Sequence, residues 1–241
     1  MRRPKNTFFQ FKQFRIEQAQ NAMKVSTEAC ILGAFTFAEN PQKALDIGTG
    51  TGLLALMLAQ RFPQCHIDAV EIEKNAFKEA CQNIQNSPFS KQIKVFHTSI
   101  QYFAQTCSTQ KYDLIICNPP FYENHLLSPN EQLNQALHQK SLYLHELAEI
   151  LAQLLQKQGK AWVLLPPFSM NNFVLLAEKQ QLFPQNCLQI FHSPKHPLLR
   201  KIVAFGFERK EYEIQNLFIY DEQNTYTPTF RNLLKDFYLH F

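Results

Sequence analysis

Apolar residues recur along this chain in two patterns, one with the period of a strand and one with the period of a helix. Short apolar runs predict strands at residues 43–47, 66–72, 93–98 and 112–117. Amphipathic segments predict helices at residues 53–62, 74–86 and 141–158, the last of which ends at Gly159 as its C-cap. Strands that alternate with helices in this way are typical of a parallel sheet with helices on both faces.

The pattern changes in the last third of the chain. It predicts, in order, a strand at 160–165, a helix at 169–182, strand-like runs at 188–193, 201–208 and 214–220, and a helix at 230–239. The short loop between the runs at 188–193 and 201–208 favours an antiparallel hairpin at the sheet edge. We therefore expect an α/β fold with a seven-stranded, mostly parallel sheet that ends in an antiparallel pair.

The first 25 residues differ in composition from the rest. Residues 1–21 are rich in aromatic and amide side chains, and regular structure is predicted to begin near Ser26. We therefore divide the chain into a basic, aromatic N-terminal flap (1–25) and one domain (26–241). A chain of 241 residues with 45% hydrophobic and 18% charged residues can bury a core, which excludes a wholly disordered protein.

No segment predicts a membrane span or a secretory signal. The longest aliphatic run, 53–59, is far shorter than the ~18–20 residues that cross a bilayer. Glutamine and lysine interrupt the apolar residues near the N-terminus. The six cysteines are all at least ten residues apart, so neither a zinc site nor a disulfide scaffold is indicated. We expect a cytoplasmic protein with buried free thiols and no metal.

Three of the six glycines, Gly48, Gly50 and Gly52, lie within five residues between a predicted strand and a predicted helix. Glycine at such a turn accepts positive φ and lets a ligand approach the backbone N–H groups at the helix start. The spacing is G-x-G-x-G, which departs from the G-x-G-x-x-G of dinucleotide-binding proteins. It resembles motif I of S-adenosylmethionine (SAM)-dependent methyltransferases. The alternative is a tight turn with a purely structural role.

Acidic and hydroxyl side chains at nearby strand ends fit the same ligand. Glu71 ends the next strand, where a carboxylate can accept hydrogen bonds from both ribose hydroxyls. Asp46 precedes the glycines and could attract the cationic sulfonium or ammonium group of SAM. Ser99 follows the third strand, where such methyltransferases often have an acidic residue against the adenine amine. A serine can offer only an uncharged hydrogen bond there.

The fourth predicted strand runs directly into Asn118-Pro119-Pro120-Phe121-Tyr122. The prolines stiffen this loop and remove two N–H donors, which leaves the Asn118 side-chain oxygen and the Pro119 carbonyl as acceptors. Two acceptors on the N–H groups of an aromatic amine favour a pyramidal nitrogen whose lone pair can attack a methyl group in line. Phe121 would stack on the base. This segment resembles the (Asp/Asn/Ser)-Pro-Pro-(Tyr/Phe/Trp) motif of class I (Rossmann-like) amino methyltransferases. A proline-stiffened loop with a core phenylalanine is the alternative.

Further segments extend the resemblance over nearly the whole chain. They are Phe11-Lys-Gln-Phe14, Ala22-Met-Lys-Val25 with Thr27, Leu32-Gly-Ala34 and Phe237-Tyr-Leu239. Together with the two motifs, they resemble the bacterial tRNA1(Val) adenine-N6 methyltransferases.

That resemblance implies SAM-dependent methylation of N6 on adenosine-37, next to the anticodon. It implies that Asn118, Pro119 and Phe121 form the acceptor pair and the stacking ring, with Pro120 and Tyr122 beside the substrate. It also implies that the segment around Lys24 and Thr27 packs over the methionine end of SAM, although Lys24 could equally be a surface cation.

The net charge is only +4, but basic residues cluster in two segments that lack acids. With the anticodon stem-loop of a tRNA as partner, the candidates for RNA contact are Lys12, Arg15, Lys195, Arg200 and Lys201. Charge alone does not distinguish such a face from an ordinary solvated surface. The acceptor motif also occurs in enzymes that methylate guanine amines of ribosomal RNA or the glutamine amide of release factors, so those substrates remain alternatives. The sequence does not define an oligomeric state.

Overall fold

A computed structural model describes residues 7–19, 24–107, 111–119 and 142–241 of the chain. The strands are β1 (Phe8–Gln10), β2 (Arg15–Glu17), β3 (Lys43–Ile47), β4 (His66–Glu71), β5 (Ile93–His97), β6 (Tyr112–Cys117), β7 (Leu155–Leu165), β8 (Phe183–Phe191), β9 (Leu198–Gly206) and β10 (Glu213–Phe218). The helices are α1 (Thr27–Phe35), α2 (Leu53–Arg61), α3 (Lys74–Gln85), α4 (Ile100–Thr106), α5 (Leu144–Leu154), α6 (Pro167–Lys179) and α7 (Pro228–Leu234). None of these helices is long and apolar enough to span a membrane.

The large sheet has the strand order β10-β8-β9-β7-β6-β3-β4-β5. Strand β9 is antiparallel to both of its neighbours, β7 and β8, while the other neighbouring strands of this sheet are parallel. The predicted α/β class and mostly parallel sheet are thus confirmed, with eight strands instead of seven. The β8–β9 hairpin does not form the edge, because β10 pairs with the outer side of β8 and satisfies backbone groups that would otherwise be unpaired.

Helices cover both faces of the sheet, as predicted. Alternate residues of each central strand point to opposite faces, so Ala44 packs in one core cluster and Leu45 in the other. The first face carries α1, α2, α3 and α7, and the second carries α4, α5 and α6. Both clusters consist almost entirely of fully buried aliphatic and aromatic side chains, which explains why the central strands read as continuous apolar runs.

Regular structure begins earlier than the predicted start near Ser26. Strands β1 and β2 form an antiparallel hairpin, and the side chains of Phe11, Phe14 and Ile16 are buried in the core cluster of the first face. Phe11 also forms an isolated antiparallel bridge with Tyr238 near the C-terminus. The aromatic composition of this segment therefore reflects packing against residues that follow α7, such as Tyr238.

Gly159 is not a helix C-cap, contrary to the prediction. Helix α5 ends at Leu154, and the chain continues directly as the long strand β7, which contains Gly159. The pairing of β6 with β7 shifts register between Tyr112 and Leu114. A Cβ on Gly159 would lie 2.8 Å from the Tyr112 carbonyl oxygen, so the residue is glycine because two backbones approach closely there. The closing helix is also shorter than predicted, since α7 ends at Leu234.

We expect Gly159→Ala to lower the free energy of unfolding by roughly 1–3 kcal/mol, because the new methyl group would contact backbone atoms that cannot rotate away. Gly206→Ala is the matched control, since its Cβ would meet mainly the Gln185 side chain, which can move. Urea unfolding of both variants measures the difference. Equal losses in the two variants would contradict this account of Gly159.

Candidate functional site

The site is built where three neighbouring parallel strands end. Ile47 of β3 pairs with Val70 of β4 on one side and with Cys117 of β6 on the other. The next residue of each strand is Gly48, Glu71 and Asn118, so these three lie side by side at a spacing of about 5 Å between strands. The chain leaves β3 toward β4 by a first-face helix and returns to β6 by a second-face helix. This switch point is where open α/β sheets bind ligands.

The glycine loop (residues 48–52) turns sharply from β3 into α2. Gly48, Gly50 and Gly52 have φ angles of 70°, 58° and 85°, in the left-handed region that residues with a Cβ avoid. A Cβ on Gly48 would have no heavy atom within 4 Å, so open space lies above this residue. The loop therefore needs glycine for its backbone conformation, and it leaves room for a ligand next to the backbone.

Asp46 holds this loop from below. Its carboxylate is fully buried, and Oδ2 accepts hydrogen bonds from the Thr49 hydroxyl (2.5 Å) and the Ala55 amide (3.1 Å). The other oxygen, Oδ1, is buried without a hydrogen-bond partner in the part of the chain that is described. Burial raises the pKa of Asp46 to about 7, although the bonds from Thr49 and Ala55 oppose the shift. Asp46 thus lies under the backbone of the loop, and not on the open surface of the site.

Glu71 connects the glycine loop to the start of α3. Its carboxylate accepts hydrogen bonds from the amides of Gly50 (2.9 Å) and Glu73 (2.8 Å), one on each oxygen. Each carboxylate oxygen can accept a second bond, and the side chain keeps 8% of its surface exposed. The carboxylate can therefore hold the loop and still receive a pair of ligand hydroxyls.

Two further residues, Ser99 and Ile72, lie at the ends of β5 and β4. Ser99 is a predicted site residue, and Ile72 is not. Ser99 is the N-cap of α4, and its hydroxyl accepts a hydrogen bond from the Tyr102 amide (3.1 Å). Ile72, directly after Glu71, is 45% exposed although it is a large aliphatic residue. The predicted strand at 66–72 has Ile72 as its last residue, whereas β4 ends at Glu71 and leaves Ile72 at the site. An apolar residue just after an acidic strand end was the available signal.

At the end of β6, Asn118 is half-buried and Pro119 is buried. Before them, Cys117 is fully buried, and burial raises the pKa of its thiol well above the ordinary value. Cys117 is therefore a core residue and carries no reactive thiolate. The predicted residues Pro120, Phe121 and Tyr122 lie outside the described residues.

A network of buried amide side chains ties the N-terminal hairpin to the site. Asn83 of α3 is 1% exposed; it accepts a bond from the Glu17 amide and donates to the carbonyls of Glu17 (3.0 Å) and Thr51 (2.9 Å). It thus joins β2 to the glycine loop. The side chain of Gln18, 4% exposed, accepts a bond from the Val25 amide (2.8 Å). Neither residue stands out in the sequence, because its partners are distant along the chain or are backbone atoms.

Gln18 thereby positions the segment that leads into α1. Ser26 caps this helix by accepting a hydrogen bond from the Ala29 amide, and Thr27 is the first helical residue. The predicted residues Lys24 and Thr27 flank this cap, with Lys24 exposed and Thr27 half-buried. The hairpin, the glycine loop and the start of α1 are therefore connected by two buried side chains.

The predicted RNA-contacting residues separate into two groups. Lys12 lies by the C-terminal end of α2, in a cavity of about 600 Å³ with Gln60 and Asp236, and its ammonium donates to the Lys235 carbonyl. This is the end of α2 away from the glycine loop, about 13 Å along the helix. Arg15 forms an ion pair with Glu17 (2.7 Å) and lies over the Phe8 ring. The structure therefore gives both residues intramolecular partners on the hairpin side.

The other three residues lie at the edge of the sheet that carries the site. Lys201 pairs with Leu165 at the carboxyl end of β7, and Arg200 precedes it on β9. Lys195 is exposed in the loop between β8 and β9, which projects from the same edge. Lys201 donates a hydrogen bond to the Asn171 side chain of α6 (2.9 Å). Among the described residues, no group of three His, Cys, Asp or Glu side chains could hold a metal ion.

Comparison with known proteins identifies the family. The model of the methyltransferase small domain matches residues 27–175. A tRNA1(Val) (adenine(37)-N6)-methyltransferase of Dyadobacter fermentans is 41% identical over 99% of this chain and 100% of its own length. The protein with the same name from Trichodesmium erythraeum is 41% identical over 96% of this chain and 97% of its own length.

Solved structures agree on the fold. A predicted O-methyltransferase of Agrobacterium tumefaciens superposes with a TM-score of 0.66 at 14% identity, covering 86% of this chain and 95% of that one. A methyltransferase of Pyrococcus furiosus superposes with a TM-score of 0.57 at 19% identity, covering 81% and 90%. The chain therefore belongs to the methyltransferase small domain family and, within it, to the group of proteins named tRNA1(Val) (adenine(37)-N6)-methyltransferases.

Proposed function

We propose that this protein transfers the methyl group of SAM to the N6 amine of adenosine-37 in tRNA1(Val), next to the anticodon. The observation that carries the proposal is the adjacency of the glycine loop and Asn118 at the ends of β3 and β6. A cofactor loop and an amine-binding loop are then neighbours, as transfer between two bound molecules requires. The names of relatives that are 35% to 41% identical over nearly the full chain support the same reaction.

The residues of the site fit SAM. The open space above Gly48 admits a ligand against the backbone, and the Glu71 carboxylate suits two ribose hydroxyls. Ile72 and the Ser99 hydroxyl would flank the adenine, while Lys24 and Thr27 would lie toward the methionine end. Asp46 Oδ1, which has no hydrogen-bond partner among the described residues, lies below the loop, where a positive charge on the ligand would stabilise the ionised carboxylate. SAM supplies an electrophilic methyl group on a sulfonium sulfur.

Asn118 and Pro119 would act on the target amine. Their two carbonyl oxygens accept hydrogen bonds from its two N–H groups and so stabilise the positive charge that develops on nitrogen. The nitrogen lone pair forms the new N–C bond as the S–C bond breaks, and the nitrogen then releases one proton to solvent. Phe121 would stack on the base, with Pro120 and Tyr122 beside it. The chain needs no strong general base for this step.

The anticodon stem-loop would approach along the edge that carries Lys195, Arg200 and Lys201, where phosphate contacts can position the RNA. Lys12 and Arg15 would belong to a second, weaker contact on the hairpin side. In the proposed domain division, residues 1–25 are a flap on the methyltransferase domain of residues 26–241. A tRNA substrate also implies that the protein acts in the cytoplasm.

The proposal is tested by incubating the protein with radiolabelled SAM and unmodified bulk tRNA, followed by nucleoside digestion and mass analysis. We expect N6-methyladenosine in one tRNA species. Asn118→Ala should lower the rate of transfer by about 10²–10³-fold, because one acceptor for the developing charge is lost, and leave SAM binding near normal. Asn118→Asp is the control that keeps an acceptor oxygen. Label found only in ribosomal RNA or a release factor would keep the mechanism and overturn the substrate.

The affinity for SAM should depend on the ionisation of Asp46. Its pKa of about 7 means that one pH unit lower only about a tenth of the carboxylates are ionised. Since a cationic ligand favours the carboxylate, binding should release a proton, and the affinity should rise by up to about tenfold from pH 6 to pH 8. Asp46→Asn keeps an acceptor for Thr49 and Ala55 and should lose this pH dependence. Calorimetric titration measures the affinity of both proteins for SAM at each pH. If the affinity of the two proteins changes with pH in the same way, the ionisation of Asp46 does not affect SAM binding.

Asn83→Leu should weaken SAM binding without a comparable change in the rate at saturating SAM. Leucine has a similar size but cannot bond Thr51 or Glu17, so we expect the free energy of unfolding to fall by about 1–3 kcal/mol. The control is Gln82→Leu, an exposed position on the same helix. Binding is measured well below the melting temperature. A SAM affinity equal to wild type would limit Asn83 to a stabilising role.

A further inference from the structure

Phe168 is the most exposed of the large hydrophobic residues that the structure describes, with 69% of its surface accessible. It lies in the first turn of α6, directly after the Pro166-Pro167 pair that follows β7. The inward face of the same helix is well packed, since Met170 and Phe173 are almost fully buried. The helix is therefore firmly oriented, and its orientation points Phe168 outward. An exposed aromatic ring forgoes the free energy of burial and is accessible to a binding partner.

Phe168 is close to the substrate side of the proposed site. Strand β7 neighbours β6, with Val163 paired to Cys117, so Leu164 lies beside Asn118. Strand β7 ends one residue later at Leu165, and two residues, Pro166 and Pro167, separate Leu165 from Phe168. Consecutive Cα atoms are 3.8 Å apart, so the backbone of Phe168 lies within about 11 Å of this strand end. A nucleotide that flanks a base held at Asn118 is within reach of the ring.

A positive charge accompanies the ring. Lys201 pairs with Leu165 across β7 and β9, and its ammonium donates to Asn171, three residues after Phe168 on α6. No acidic residue occurs between positions 179 and 207, so nothing in that segment opposes a polyanion. An exposed ring next to a cation matches the requirements of single-stranded nucleic acid, in which bases stack on aromatic side chains while the backbone follows positive charge.

We propose that Phe168 stacks on an unpaired nucleobase next to the target adenosine, and that Lys201 contacts a phosphate of the same strand. The inference rests on the proposed function and adds a second base contact to it. When the target base leaves the base stack of the RNA loop to enter the pocket, the neighbouring base loses its stacking partner. Stacking of that neighbouring base on Phe168 would replace the lost contact and stabilise the open form of the RNA loop. The ring also accepts any of the four bases, because each has a π-face.

The test compares variants of Phe168 in the full chain for binding of an anticodon stem-loop RNA, measured by fluorescence anisotropy in the presence of the demethylated product of SAM. We expect Phe168→Ala and Phe168→Leu to raise the Kd for RNA by about 5- to 150-fold, and Phe168→Trp to restore binding. Leu175→Ala is the matched control, because Leu175 lies on the same helix face and is 61% exposed. It should bind RNA as wild type does, and all variants should keep the wild-type Kd for SAM.

Three results would overturn the inference. RNA binding of Phe168→Ala at the wild-type Kd would show that the ring makes no contact. RNA binding of Phe168→Leu at the wild-type Kd would show that an apolar side chain is sufficient and that the ring does not stack on a base. Absence of RNA binding by the wild-type protein would overturn both this inference and the tRNA substrate. If the wild type binds RNA in a Phe168-dependent way but does not methylate it, the proposed function fails and the stacking contact stands.

Discussion

The buried carboxylate of Asp46 is the interaction on which the rest of the site depends. Oδ2 holds both the Thr49 hydroxyl and the Ala55 amide, so one oxygen determines how the chain turns from β3 into α2. Glycine loses more backbone entropy on folding than any other residue, so a loop with three glycines at positive φ is costly to order. The hydrogen bonds to Asp46 offset part of that cost. Burying the carboxylate is unfavourable, as its raised pKa shows, and the two hydrogen bonds only partly compensate.

Two further side chains hold the same turn from the sides. Glu71 accepts the Gly50 amide from the direction of β4, and Asn83 donates to the Thr51 carbonyl from α3. Asn83 and Gln18 also bind the N-terminal hairpin and the segment before α1. The loop is therefore part of a network that includes residues from four separate stretches of the chain. A ligand that orders the loop would also stabilise the hairpin, because the Asn83 amide donates to the Thr51 carbonyl of the loop and to the Glu17 carbonyl of the hairpin.

The sequence predicted those parts of the molecule that are encoded locally. Strands β3 and β6 have the predicted bounds because both are buried apolar runs. Gly48, Glu71 and Asn118 could be predicted as neighbours because each directly follows a parallel strand. By contrast, the role of Gly159 depends on its close contact with the Tyr112 carbonyl, which is distant in the sequence and so cannot be predicted from the local pattern.

The same distinction explains why some residues around the site could not be predicted. Asn83 and Gln18 act through backbone groups that are far away in the sequence or have no side-chain signature. Lys12 was grouped with Lys201 by charge alone, yet the fold directs Lys12 to carbonyls near the C-terminus and Lys201 to the site edge. Charge patterns give the sign of a surface but not the partner of each residue. Ile72 was misread because the strand ended one residue earlier than predicted.

The switch point of the sheet also separates the two halves of the proposed reaction. Glu71 and Asn83 lie on the β4 side of β3, and Asn83 joins the hairpin to the glycine loop there. Asn118, Phe168 and Lys201 lie on the β6, β7 and β9 side, next to α6 of the second face. The methyl donor and the amine would thus reach the gap between β3 and β6 from opposite sides. Methyl transfer requires the attacking nitrogen, the methyl carbon and the leaving sulfur to be in line. Two binding sites on opposite sides of the gap between β3 and β6 can hold that alignment without a conformational change.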